Sequence, residues 1–94
     1  MEEVRKTAEF IQNKLRSGYL DQPEHTTARS LVDEVEKLLT EIRMQKHPLS
    51  LDSRVKTIIK HLESLVDDVV MDFRHRDELL KHSNQMRGLL RSLS

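Results

Sequence analysis

The apolar positions of this chain repeat at helical spacing, most regularly from Leu51 to Leu93. Leu51, Ile58, Leu65, Leu79, Met86 and Leu93 recur every seven residues, and only Asp72 interrupts the series. A second set, Val55, Ile59, Leu62, Val66, Val69 and Phe73, steps by four and three, so that two stripes merge into one broad face. A helix presents a face of that width when it packs against two neighbours at once. Beyond Phe73 the face narrows, and the charged run Asp72–Glu78 crosses it.

The same spacing marks two earlier helices. Helix one is predicted over about residues 2–17, with the stripe Val4, Ala8, Ile11 and Leu15 widened by Phe10. Acidic Glu2 and Glu3 at its start and basic Lys14 and Arg16 at its end suit the helix dipole. Gly18 then stands where a left-handed stop residue is wanted, followed by Tyr19. Asp21-Gln22-Pro23-Glu24 reads as a capping box with proline in the first turn. Helix two, about residues 22–46, carries Ala28, Leu31, Val32, Val35, Leu38, Leu39 and Ile42 and ends before Pro48. Ser50 is the expected N-cap of helix three, about residues 51–93.

Those lengths do not match. At roughly 1.5 Å per residue the three helices span about 24, 37 and 63 Å. Helix three either breaks near residues 72–78 and folds back, giving a four-helix bundle, or stays continuous and projects. The i, i+4 pairs Asp72–Arg76, Asp77–Lys81 and Glu78–His82 favour the continuous helix, and the run holds no glycine, proline or asparagine. The expected fold is therefore a single all-α domain: an antiparallel bundle of three helices with a long third helix and coiled-coil-like packing. Leu31, Val35, Leu38, Ile59, Leu62 and Val66 are its predicted core.

Composition narrows the function. Charged residues make up 34% of the 94 positions and balance to zero, and aromatics only 3%, a profile of long helices rather than sheets. A chain of this length buries only about 60–65% of its unfolded surface, so its core is thin. The absence of cysteine removes disulfide and thiolate chemistry. No apolar run reaches the roughly 18 residues of a membrane span, and the first residues lack a signal-peptide layout. A soluble, intracellular protein, cytoplasmic or nuclear, is expected.

Catalytic and metal chemistry find little support. His61, His75 and His82 are spaced by fourteen and seven residues, so neighbours on one helix lie about 10 Å apart and share no ion. His75-Arg76-Asp77 spells a kinase catalytic-loop triplet, but His82 stands where the required asparagine belongs, and no glycine-rich loop accompanies it. No nucleophile elbow is present. No enzyme activity, metal or cofactor is expected.

The leading expectation is a non-catalytic helical interaction and oligomerisation module. Leu79, Leu80, Met86, Leu89, Leu90 and Leu93, with Arg76 and Arg87, are the expected partner-binding residues. Left in water, each such apolar side chain forgoes about 1.5–3 kcal/mol, so a second copy (a homodimer) or another protein is expected to cover them. A second expectation is weak nucleic-acid binding: from Asp72 onward five basic residues face three acidic ones. The acids interleave with the bases and no aromatic offers stacking, which makes nucleic acid the weaker partner. A third rests on Arg54, Lys56 and Lys60 early in helix three, facing Glu34 or Glu41 of helix two. In these residues the chain loosely resembles the Hsp70-binding BAG module, a short all-α bundle with a basic face on its third helix. The resemblance implies a cochaperone that binds Hsp70 through this charged face, although helices one and two are short for that module.

Overall fold

In the computed structural model, which describes residues 2–20, 24, 26–65 and 71–93, the regular periodicity becomes four helices. They are α1 (Glu2–Lys14), α2 (Thr26–Arg43), α3 (Pro48–Glu63) and α4 (Phe73–Leu93). No strand occurs among the described residues. Neighbours in sequence pack on one another, and α1 also packs against α4, which closes an up-down-up-down square. The molecule measures 37 × 20 × 19 Å.

Helix three is therefore not continuous. It ends at Glu63, capped at Ser64, and the chain re-enters a helix at Phe73. The break lies before the charged run, which opens α4 instead of interrupting a helix. Magnitudes explain the outcome. Each i, i+4 pair supports an unbroken helix by about 0.2–0.5 kcal/mol. Folding back buries Leu79, Met86 and Leu90, all at most 1% exposed, and such burial contributes about 1.5–3 kcal/mol for each. Asp72, the polar residue that interrupts the seven-residue series, caps the new helix. Its Oδ1 accepts from the backbone N–H of Arg74 at 2.7 Å, and its carbonyl accepts from Arg76 N at 2.9 Å. Leu65 and Met71 bury their side chains at the same end of the bundle. Residues 66–70, which include the predicted core position Val66 and the stripe residue Val69, lie outside the described residues.

The other boundaries follow local chemistry. After α1 the chain makes one wider turn, Leu15–Tyr19, in which Gly18 takes φ 124° and ψ 10°, so the predicted left-handed stop is present. The capping box at residues 21–24 falls largely outside the described residues. Helix α2 closes earlier than predicted. Gln45 adopts a left-handed φ of 56°, with Gln45 N donating to Ile42 O at 3.0 Å and Lys46 N to Glu41 O at 3.1 Å. That is the Schellman pattern with glutamine where glycine is usual. Pro48 opens α3 instead of preceding it: His47 is the N-cap, and its Nδ1 accepts from Leu49 N at 3.1 Å. Proline suits the first helical position because its missing N–H would go unbonded there anyway.

Every helix contributes one stripe to the shared core. Val4, Ala8, Ile11 and Leu15 face Leu31, Val35, Leu38 and Ile42 of α2 and the α3 and α4 stripes. In α3 the buried line is Leu51, Val55, Ile58 and Leu62, and the predicted core residue Ile59 sits half-buried at its edge.

Candidate interaction surface

The fold-back redistributes the residues expected to meet a partner. Leu79, Met86 and Leu90 form the α4 contribution to the core. They point into the bundle, so the apolar stripe expected to lie against another molecule is covered by α1 and α3 of the same chain. Leu80 and Leu89 pack, partly buried, on the margin of that core. Leu93 alone of the six is exposed, at 49%.

The two arginines are internal ties. Arg87 Nε donates to Asp52 Oδ1 of α3 at 3.0 Å. Arg76 Nη1 donates to the carbonyl of Leu65 at 3.2 Å, and its guanidinium lies 4.7 Å from the Phe73 ring centroid. Arg74 also has a carboxylate neighbour, Asp72. Much of the basic charge of α4 is thus engaged within the chain.

Arg54 meets both acids that the sequence placed opposite it. Nη1 donates to Glu34 Oε2 at 2.9 Å, and Nη2 to Glu41 Oε1 at 2.6 Å. The hydrogen bonds to Glu41 and then Glu34 hold the guanidinium above its ordinary pKa. This charge ties α2 to α3, while Lys56 and Lys60 stay exposed.

A polar and aromatic ladder joins α1 to α4. Tyr19 stacks on His75 with centroids 4.2 Å apart and planes 3° apart, and its hydroxyl donates to Glu78 at 3.0 Å. Acceptance by Glu78 raises the Tyr19 pKa. His82 follows one turn on, 4.0 Å from Glu78 and 4.6 Å from the Phe10 ring. Among the described residues no three metal-ligating side chains converge.

The exposed apolar surface gathers at one end of the bundle. Among the described residues three of the four large exposed apolar side chains, Met44 (60%), Leu49 (59%) and Leu93, lie where α2 ends, α3 begins and α4 ends. The N-terminus of α1 reaches the same end. There Ile42, Pro48 and Leu93 line an open cleft of about 590 Å³ with Glu2, Arg5, Arg43, Gln45 and Lys46. Arg5 is paired with Glu2 and Glu9. Among the described residues Arg43 and Lys46 have no carboxylate partner. The sequence reading missed this cleft, although Met44 and Leu49 stand off the helical stripes on either side of Pro48.

Among the described residues no helix is long and apolar enough to cross a membrane. Comparison with protein-family models, with curated proteins and with solved structures finds no match.

Proposed function

We propose that the chain is a non-catalytic protein-interaction module that binds through the bundle end formed by the α2–α3 connection and the last turn of α4. The supporting observation is that Met44, Leu49 and Leu93, three exposed apolar side chains, all lie at this end, where Leu93 lines an open cleft. Grouped exposed apolar side chains rimmed by charge are characteristic of interaction sites, whereas scattered ones are ordinary surface.

On this reading binding falls on the α2–α3 connection, the first turn of α3 and, of the α4 stripe, Leu93 alone. Selection of a phage-displayed random dodecapeptide library on the parent and on a Leu49→Asp, Leu93→Asp variant tests it. Both positions are exposed, so the variant should melt like the parent. Sequences should enrich on the parent alone. Equal enrichment on both proteins, or none on the parent, would sink the proposal.

A further inference from the structure

The geometry points to an acidic segment of another protein, carrying a large apolar anchor, as the occupant of the cleft at this bundle end. The inference rests on the reading of that end as the binding surface and adds the chemistry of the partner.

Two features of the cleft act together. Its apolar wall, Ile42, Pro48 and Leu93, asks for an apolar side chain. Its charged rim is unbalanced, with Arg5, Arg43 and Lys46 against Glu2. Glu2 already pairs with Arg5, which leaves the charges of Arg43 and Lys46 uncompensated among the described residues. A segment with carboxylates beside a leucine or phenylalanine satisfies both features at once, because complementary potentials meet while apolar area leaves water.

Other occupants fit less well. A second copy docked through the same end about a twofold axis would oppose two surfaces of the same net positive charge, which disfavours that contact. A nucleic-acid backbone would meet the two cations but offers no side chain for the apolar wall, and the lining holds no aromatic on which a base would stack.

The test continues the library selection on the full chain. Enriched peptides should be rich in aspartate and glutamate around large apolar residues, and one is then synthesised with a fluorescent label. Its affinity should fall about five- to tenfold when its acids become the corresponding amides, and by a similar factor on the Arg43→Gln, Lys46→Gln variant. Binding should also weaken several-fold between about 50 and 300 mM salt. Both substituted cations are exposed, and a melt coincident with the parent's confirms an intact fold. Neutral or basic enriched peptides, or an affinity indifferent to the amide and Gln changes, would overturn the acidic partner yet leave the interaction module standing. Failure of any peptide to enrich overturns both. Self-association in sedimentation that Leu93→Asp abolishes would assign the end to a second copy, and displacement of the peptide by an equimolar DNA duplex would assign it to nucleic acid. Either result overturns the inference.

Discussion

Arg87 of α4 and Asp52 of α3 form an ion pair, Nε to Oδ1 at 3.0 Å, with side chains 22% and 11% exposed. Their distance of 35 positions in sequence is closed only because α4 folds back along α3. Asp52 has a further cation in Lys56 at 4.0 Å, too far for a good hydrogen bond. Arg87→Ala should therefore cost about 1.5–3 kcal/mol, the range for hydrogen bonds to charged groups. In urea melts, a double-mutant cycle with Asp52→Ala should give a coupling of about 0.5–2 kcal/mol. Coupling within experimental error of zero would make the pair ornamental.

Removing α4 should remove the fold. A chain ending at Met71 lacks Leu79, Met86 and Leu90 and exposes the α1 and α3 faces that they cover. It should lose its cooperative thermal transition and much of its helical circular dichroism, since isolated helices of this length are marginal in water. A truncated chain that still melts sharply would mean that α4 is an appendage, as the projecting-helix reading held.

Ser83 is fully buried on the core face of α4, and its Oγ has no hydrogen-bond partner among the described residues. Ser83→Ala removes the orphaned hydroxyl and raises helix propensity, so it should stabilise the chain by about 0.5–1.5 kcal/mol. Denaturant midpoints measure this directly. A destabilised variant would show that the hydroxyl is bonded in solution.

Two residues with positive φ should respond oppositely to substitution. Gln45→Gly relieves a left-handed side-chain conformation and should add about 0.5–1 kcal/mol, whereas Gly18→Ala should cost about 1–2 kcal/mol. Beyond the adjoining backbone, no atom of the described residues lies within 4 Å of the position of an added Cβ at Gly18, so a loss there would come from the backbone conformation. Equal melting temperatures for parent and both variants would refute the assigned turn conformations.

The N-cap carboxylate should carry an acid dependence. The hydrogen bond from Arg74 N–H holds the Asp72 pKa below its ordinary value. A lowered folded-state pKa means that the stabilisation is complete above the unfolded value, near pH 4, and is lost as pH falls through the folded one. Asp72→Asn keeps an acceptor oxygen but does not titrate. The advantage of the parent over this variant should shrink as melts move from about pH 5 to pH 2. A constant difference across that window would exclude the cap as its source.

Local chemistry was enough to write the helices into the sequence. The stripes Val4–Leu15 and Ala28–Ile42 became buried faces because periodicity is a property of each helix alone, and Gly18 stopped α1 because its conformation is local too. Asp72 carried a legible signal as well: a residue favoured as an N-cap, standing where the seven-residue series fails. The tertiary structure decided what that signal meant. Along residues 72–82 the i, i+4 pairs are compatible with either arrangement, and the decisive term is burial of Leu79, Met86 and Leu90 against helices far away in sequence. That long-range burial turned the expected partner face into core and made Arg76 and Arg87 internal ties. It also assembled the end cleft, whose walls Ile42, Pro48 and Leu93 come from three helices and share no periodicity. A pattern along one helix reports which face is apolar, and only the packing of all four determines what covers it.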